Sequence, residues 1–314
     1  MSEGARGVAA MVAACTFWGL SSIYYKLLDH VPPLEVLAHR TLWSLVFFGA
    51  VLGLQGRLGG IGRVLAGGRS AALALAAGLF ISANWFLFIW SVQTGRAMEA
   101  SLGYYIFPLV AVALGALVLG ERHVPVKWAA VALAALAVVL LTWGLGVAPW
   151  ASVGIALTFG GYGLVKRWIA AGPVVSVTTE MLLLTPLALG WLWGVHALGW
   201  APLGSGPGAA FGSGWRDTLL LMLSGPITAG PLILFSYASK RASYATIGLV
   251  QYLNPTLQFL VATFLFREAF GIWQAVAFAL IWTALVIYTL ASLRQGSAAR
   301  SDASSPATSS TSTK

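Results

Sequence analysis

The chain has 314 residues, of which 59% are hydrophobic and only 9% are charged, and its formal net charge is +9. Soluble domains carry about 25% charged residues, so a water-soluble fold of this length could not bury so much apolar surface. The composition therefore indicates a membrane protein, with the lipid bilayer as its surroundings. The basic residues are scattered over loops and form no stripe with aromatic side chains, so we expect no nucleic-acid partner.

Ten apolar segments follow one another along the chain, each long enough to cross a bilayer. A spanning helix needs about 20 predominantly apolar residues, and its backbone polar groups must be satisfied within a helix or a closed barrel. These segments lack the alternation of barrel strands, so the sequence predicts helices. The predicted spans are Gly7–Leu28, Pro33–Leu54, Ala71–Thr94, Glu99–Leu119, Val124–Trp143, Trp150–Ile169, Val174–His196, Leu219–Ser239, Ser243–Phe266 and Phe270–Leu293.

The basic residues distinguish the two sides of the membrane. Ten spans place both termini on one side, which carries thirteen Lys and Arg residues, whereas the other side carries four. Loops rich in Lys and Arg stay in the cytoplasm. We therefore expect a multi-pass protein of the bacterial cytoplasmic (inner) membrane with both termini cytoplasmic.

The chain also repeats itself weakly. Pro108 precedes Glu121 by thirteen residues in the first half, and Pro255 precedes Glu268 by thirteen in the second. Each glutamate ends a span, and we predict that each pairs with a nearby arginine, such as Arg122 or Arg267. Several matches in the same order indicate a duplication with five spans in each copy. Because five is odd, the second copy must lie inverted in the membrane.

This duplication sets the predicted domain organisation. We expect one five-helix repeat over residues 1–146, a second and inverted one over 147–296, and a disordered cytoplasmic tail over 297–314, which is rich in Ser, Thr and Ala. Inverted repeats are typical of secondary transporters, in which the substrate site lies near the midplane between the halves. The predicted fold is thus an all-α polytopic membrane protein with ten helices around a central cavity.

Two charged residues lie inside predicted spans, where a charge is costly. Arg40 and Glu180 each stand about seven residues, or roughly 10 Å, from the start of spans two and seven. Facing a shared cavity, they could form an ion pair or bind a zwitterion, and Glu180 could carry a proton. The alternatives are an interhelical salt bridge without a ligand and side chains that reach toward the interface.

Aromatic and amide side chains that share helix faces with these charges complete the candidate site. The predicted substrate-binding residues are Trp18, Tyr25, His39, Arg40, Trp43, Asn84, Trp85, Tyr104, Tyr105, Tyr162, Glu180, Gln251 and Tyr252. The predicted proton-coupling residues are Glu180, His39 and Glu99. Histidine titrates near neutral pH, although a lone histidine is more often a packing residue.

The sequence contains no motif of a known catalytic or metal site. It has no HExxH, no metal-spaced Cys and His set, no Walker-type glycine-rich loop and no GxSxG. We therefore predict that the protein is not an enzyme and has no catalytic residue, cofactor or metal. An intramembrane enzyme or sensor remains the alternative from another class.

The chain resembles the drug/metabolite transporter superfamily with two EamA-type repeats, and within it the RarD permeases. The matching segments include Trp18-Gly19-Leu20, His39-Arg40, Asn84-Trp85, Glu99-Ala100-Ser101-Leu102-Gly103-Tyr104, Gly120-Glu121-Arg122, Tyr162-Gly163-Leu164-Val165, Glu180, Gln251-Tyr252 and Pro255-Thr256-Leu257. The resemblance implies ten helices in two inverted repeats, with helices one to four and six to nine lining a central cavity. It also implies transport of small organic solutes, often export, and such permeases are commonly labelled as drug permeases.

These observations together predict a permease for small organic solutes or drugs that works by alternating access. One hypothesis is that export is driven by coupling to protons. The other is that transport proceeds by facilitated diffusion or exchange. An exporter or exchanger of amino acids or metabolites is the alternative within transport. The expected partners are a small-molecule substrate and the bilayer, and the sequence also allows a homodimer.

Overall fold

The computed structural model describes residues 2–121, 124–146, 148–200, 209–239, 241–242 and 244–304, which form helices and no strand. The helices are α1 Glu3–Lys26, α2 Pro33–Leu54, α3 Gly59–Ala66, α4 Gly68–Gln93, α5 Ala97–Leu119, α6 Pro125–Leu145, α7 Trp150–Lys166, α8 Pro173–Ala197, α9 Trp215–Ser239, α10 Tyr244–Gln251, α11 Leu253–Leu260, the π-helical turn Val261–Leu265 and α12 Ile272–Ser304. Within these residues, eight helices are long and apolar enough to cross a membrane, namely α1, α2, α4, α5, α6, α8, α9 and α12.

The other two predicted spans take a different form. The sixth is the 17-residue helix α7. The ninth is divided at Tyr252 into α10 and α11 and ends in the π-helical turn. Pro255 lies in the first turn of α11, where its missing N–H is tolerated, and it cannot donate a hydrogen bond to the carbonyl of Gln251, the last residue of α10. Pro108, by contrast, lies inside α5 without dividing it.

Two segments differ from the expected loop and tail. Residues 59–66 were expected to be loop, but they form the short helix α3, whose Gly60 packs on Val175 of α8. Eight residues are too few for a spanning pattern, and the surrounding arginines made the segment look like a plain loop. Helix α12 runs to Ser304, so the structure has helix over the first eight residues of the predicted tail. The rest of that tail, residues 305–314, lies outside the described residues.

Side-chain contacts between distant segments define one end of the bundle, called here the Glu268 end. The Glu268 carboxylate accepts hydrogen bonds from the N–H groups of Ala97 (2.7 Å) and Met98 (2.8 Å), at the start of α5. Arg267 adopts a φ of 54°, in the left-handed region, at the turn that precedes Glu268. The predicted pairing of Glu268 with a neighbouring arginine is therefore replaced by a helix cap, because the first N–H groups of a helix lack partners within it. Burial raises the pKa of Glu268 above its usual value, although the two N–H donors oppose this.

The opposite end of the bundle, called here the Arg241 end, is joined by ion pairs. Arg241 Nε contacts Glu3 at 2.8 Å, and Arg167 Nη1 contacts Glu121 at 2.5 Å. Glu121 thus has an arginine partner as expected, but from the second half of the chain. Its predicted partner Arg122 lies outside the described residues.

The helices pack chiefly across the two halves of the chain. Helix α1 packs on α9, α10 and α11, while α7 packs on α4 and α5; α2 packs on α8 and α9, α5 on α11, and α6 on α12. Small residues permit these close approaches, as is usual for helices in membranes. A Cβ atom on Gly103 would lie 2.7 Å from the carbonyl oxygen of Ser152, and one on Gly225 would lie 2.4 Å from that of Trp43.

Candidate functional site

Arg40 lies in the second turn of α2 and is only 6% exposed. Its guanidinium carbon is 3.8 Å from the centre of the Trp85 ring and 5.4 Å from that of Tyr25, which is cation–π geometry. Its Nε and Nη1 atoms are buried and have no hydrogen-bond partner among the residues that the structure describes. No carboxylate in that part of the chain forms an ion pair with it. Arg40 is thus a buried cation surrounded by aromatic rings.

Arg40 and four aromatic residues near it form a cluster that we call the aromatic box. The four aromatic residues are Tyr25, Trp85, Phe88 and Tyr104. Phe88 contacts the Tyr25 and Tyr104 rings edge-on, with centroid distances of 5.7 and 6.0 Å. The Tyr25 hydroxyl is buried and lies near Arg40 and Thr228, but it makes no hydrogen bond of full geometry in the described part of the chain. The box therefore offers unused hydrogen-bond donors at Arg40, with the Tyr25 hydroxyl beside them.

Asn84 fixes one wall of the aromatic box. Its amide oxygen accepts a hydrogen bond from the Tyr104 hydroxyl (2.9 Å), and its amide nitrogen donates to the Ile155 carbonyl (3.0 Å) and to Thr158 (3.3 Å). The amide thus links α4, α5 and α7, and both its ends are occupied. Sequence analysis placed Asn84 in the site, and the structure gives it a positioning role for Tyr104.

Glu180 belongs to a second cluster, called here the lysine–glutamate cluster, on α7 and α8. It is fully buried, and its Oε1 accepts hydrogen bonds from Lys166 Nζ at 2.6 Å and from Ser176 Oγ at 2.7 Å. Lys166 Nζ also lies 5.3 Å from the centre of the Tyr162 ring. The other carboxylate oxygen, Oε2, is buried and makes no hydrogen bond of full geometry among the described residues, although Tyr162 also interacts with this carboxylate.

Arg40 and Glu180 therefore do not form the ion pair that was one of the alternatives from the sequence. Both residues stand seven positions after the proline that begins their helix, but α2 begins at the Glu268 end and α8 begins at the Arg241 end. Each charge lies about 10 Å from its own helix start, and α2 is about 33 Å long at 1.5 Å per residue. The two charges consequently lie at different depths.

His39 and Trp43 do not belong to the aromatic box. They line a groove of about 870 Å³ between α2 and α8, together with Leu189, Trp193, His196 and Phe211. The His39 ring stacks on Phe211 at 4.6 Å. Adjacent residues point about 100° apart on a helix, so His39 faces away from Arg40, and Trp43 follows His39 at the i, i+4 spacing.

The remaining predicted residues are dispersed. Trp18 packs on Phe235 of α9, and the Tyr105 hydroxyl hydrogen-bonds to Thr256 at 2.6 Å. Gln251 ends α10, and Tyr252 lies in the break before α11, beside Leu285 of α12. These four residues line helix interfaces around α1, α5 and α12.

Glu99 stands in the first turn of α5, at the Glu268 end. One carboxylate oxygen lies 3.7 Å from Arg96, and the other is buried and unpaired within the described residues. Glu99 is therefore at the opposite end of the bundle from the Lys166–Glu180 pair.

Sequence reasoning missed several polar residues of this region. Lys166 was counted as a loop cation, although Ser176 and Glu180 share a helix face at the i, i+4 spacing, which was a usable signal. Glu35 was overlooked because an acid in the first turn of a helix is unremarkable. It is fully buried, and its carboxylate accepts hydrogen bonds from the N–H groups of Ala210 (2.8 Å) and Phe211 (3.3 Å). Glu35 thereby fastens the α8–α9 connection to α2.

Known proteins resemble this chain over nearly its whole length. The model of the EamA-like transporter family matches residues 5–143. An uncharacterized transporter of Pseudomonas aeruginosa is 42% identical over 90% of this chain and 93% of that protein. Protein RarD of Streptomyces exfoliatus is 39% identical over 97% of this chain and 95% of that protein. A crystal structure that covers 91% of this chain and 98% of its own has a TM-score of 0.56 at 19% identity, which supports the fold alone.

The apolar helices and these relatives define the class of the molecule, a polytopic membrane transporter. The chain belongs to the RarD-type permeases of the drug/metabolite transporter superfamily.

Proposed function

We propose that the protein is a secondary transporter that moves small organic solutes across the bacterial cytoplasmic membrane by alternating access. Its ten spanning helices would be the eight long apolar helices, α7, and the divided helix α10–α11. They would form two inverted repeats, residues 1–146 and 147–296, around a central cavity. The function of such a molecule is to expose one site to each side of the membrane in turn, because two inverted copies can exchange conformations.

The observation that carries this proposal is the pairing of helices across the halves. The first helix of the first half, α1, packs on the third and fourth helices of the second half, α9 and α10–α11. The first helix of the second half, α7, packs in the same way on the third and fourth helices of the first half, α4 and α5. Exchanging the halves therefore preserves the packing, as a two-fold axis in the membrane plane would require.

The distribution of charge supports an orientation. The start of α1 and the end of α12 lie at the Arg241 end, together with the basic connections between helices. The Glu268 end has few cations. By the preference of basic loops for the cytoplasm, the Arg241 end would be cytoplasmic. The aromatic box would then lie in the outer half of the membrane, and the lysine–glutamate cluster would lie in the inner half.

We assign different roles to the two buried charge sites. The aromatic box with Asn84 would form the outer part of the substrate site, and the other predicted substrate-binding residues would line its path or support its walls. Glu180 is the first candidate for proton coupling, because it is fully buried and its strong hydrogen bonds to Lys166 and Ser176 engage only Oε1. A proton bound there would weaken the hold on Lys166 and so link protonation to movement of α7 against α8. His39 and Glu99 are the further candidates, and they lie in the opposite half.

The orientation is tested by cysteine labelling in intact cells. In a Cys15→Ser background, single cysteines replace Ser2, Gln55, Thr94 and Arg294, all of which are exposed. We expect a membrane-impermeant maleimide to modify Thr94→Cys in intact cells and the other three only after permeabilisation. Opposite accessibility of Ser2→Cys and Arg294→Cys would contradict an even number of spans, and with it the inverted repeat.

Transport itself is tested in proteoliposomes by counterflow of radiolabelled phenylalanine or chloramphenicol. We expect at least one of these solutes to exchange, and a pH gradient to change its uptake. Glu180→Gln should abolish the response to the gradient, while Glu3→Gln, an exposed acid at the same end, should preserve it. An unchanged response in Glu180→Gln would assign the proton to another residue.

A further inference from the structure

We infer that the aromatic box selects organic carboxylates, with the carboxylate on Arg40 and Tyr25 and an aromatic or other planar body against Trp85. This inference rests on the proposed transport function and names the chemical class of its substrate. Three observations carry it: the charge of Arg40, the unused donors around it, and the rings that enclose it.

The charge is the first argument. Removing a guanidinium from water without a counter-ion is costly, and buried charges in proteins are normally paired. Among the described residues, the ionisable groups that interact electrostatically with Arg40 are the tyrosines 24, 25 and 104, and no carboxylate is one of them. Cation–π contact with Trp85 recovers only part of the lost hydration. A bound anion would supply the missing counter-charge.

The hydrogen-bonding pattern is the second argument. The Arg40 Nε and Nη1 atoms are buried without a partner in the described part of the chain. The Tyr25 hydroxyl lies close enough to interact with Arg40 and Thr228, but it makes no hydrogen bond of full geometry there. Arginine has donors and no acceptor, and an ionised carboxylate has acceptors and no donor. The planar fork of a guanidinium fits the two oxygens of a carboxylate, and such charge-assisted bonds are the strong ones. A neutral amide, which brings its own N–H groups, fits the same donors poorly.

The enclosure is the third argument, and it distinguishes an organic acid from a simple inorganic anion. Trp85 lies against the guanidinium, and Phe88 and Tyr104 extend the apolar ring surface from Tyr25. Asn84 holds Tyr104 in place with both of its own ends occupied. An inorganic ion such as chloride would leave this surface without a function. A planar apolar body attached to the carboxylate would use it.

The test is ligand binding by the full chain in lipid nanodiscs, with sulfate as the small anion of the buffer. The probes are 3-phenylpropionate, its neutral isostere 3-phenylpropanamide, and chloride, and affinity is measured from ligand-induced shifts of thermal unfolding. We expect wild-type protein to bind the carboxylate roughly tenfold or more tightly than the amide, which is the loss of one charge-assisted contact. We also expect chloride not to compete.

The variants assign the effect to the box. Arg40→Gln should abolish the preference for carboxylate, and Arg40→Lys should retain part of it, because the charge remains but the fork is lost. Arg241→Gln is the matched control, since Arg241 also stacks on a tyrosine, at 3.7 Å, but has Glu3 as its partner. It should bind as wild type does. Should Arg40→Gln fail to fold, Tyr25→Phe, which removes the hydroxyl beside Arg40, should still weaken carboxylate binding several-fold.

Several results would overturn the inference: equal affinity for carboxylate and amide, displacement by chloride, or an unchanged preference in folded Arg40→Gln and in Tyr25→Phe. These results are distinguishable from failure of the transport proposal. If vesicles exchange chloramphenicol but the carboxylate preference is absent, the substrate class is wrong and transport stands. If the preference is present but no solute exchanges, the site is a binding site and the transport proposal fails.

Discussion

Arg40 and Glu180 occupy equivalent positions in the two halves, seven residues after the prolines that begin α2 and α8, yet their surroundings differ. Glu180 has Lys166 and Ser176 as hydrogen-bond partners, whereas Arg40 has aromatic rings and, among the described residues, no acidic partner. The comparison teaches that the halves share a packing scheme but not a chemistry. A charge that the fold itself pairs holds helices together, and a charge that the fold leaves unpaired is available to a ligand.

The largest effect on stability is expected when the partner of Glu180 is removed. Lys166→Met leaves a carboxylate buried without a cation, and breaking a buried pair in this way costs about 3–5 kcal/mol of the free energy of unfolding. Arg40→Met removes a charge that has no described partner, so we expect little loss of stability or a gain. Reversible unfolding of both variants in mixed micelles measures the difference.

The double variant Lys166→Met with Glu180→Leu is the control for that experiment. Replacing both members of a buried pair by apolar residues is often neutral, so most of the loss should be recovered. A large loss in Arg40→Met, equal to that in Lys166→Met, would show that Arg40 has a structural partner and would remove the contrast between the two sites.

A smaller effect is expected from Asn84, which positions the wall of the aromatic box. Asn84→Ala leaves the buried Tyr104 hydroxyl without its acceptor, which should lower the free energy of unfolding by about 1–3 kcal/mol. It should also weaken 3-phenylpropionate binding, because Tyr104 is no longer held. Thr185→Val is a suitable control, since the Thr185 hydroxyl bonds to Met181 in its own helix. If Asn84→Ala binds as wild type does, Tyr104 is not part of the site.

The helices were the part of the fold that sequence reasoning could predict. A run of apolar residues indicates a spanning helix by its length alone, and Pro33 and Pro173 begin α2 and α8 as residues suited to the first turn. The division at Tyr252 could not be predicted from the sequence, because Pro108 and Pro255 look alike there and only Pro255 follows a break in its helix. A proline leaves one helix carbonyl without its usual N–H donor, and whether that carbonyl finds another partner depends on neighbouring helices.

The site was predictable in its charges but not in its contacts. Arg40 and Glu180 were identified because charge inside an apolar segment is conspicuous, and Asn84 because a buried amide requires partners. The two charges do not contact each other, since α2 and α8 begin at opposite ends of the bundle and Arg40 and Glu180 therefore lie at different depths. Lys166 escaped notice for another reason: it is the last residue of α7, and the turn between α7 and α8 brings it to Glu180.

The two ends of the bundle also differ in their chemistry, and at the Glu268 end the stability of the protein should depend on pH through Glu268. Burial raises the pKa of Glu268 above its usual value of 4.5, so the folded protein binds this proton more tightly than the unfolded chain. Its contribution to stability is therefore complete below pH 4.5 and is lost as the pH rises through the pKa of the folded protein. Glu268→Gln should lose less stability than wild type over that pH interval in thermal melts. A steeper loss in the variant would show that the two N–H donors of α5 outweigh burial.

The smallest effect is expected at the surface of the opposite end. Arg241 and Glu3 are paired at 2.8 Å, but their side chains are 31% and 64% exposed, and exposed ion pairs contribute about 0–1 kcal/mol. Arg241→Gln should therefore change the free energy of unfolding by less than about 1 kcal/mol, and added salt should reduce even that difference because exposed charges are screened. If unfolding at low and high salt shows instead a loss as large as that of Lys166→Met, the Arg241 end would owe its cohesion to surface pairs. The contrast between a charge paired by the fold and a charge left for a ligand would then no longer depend on burial.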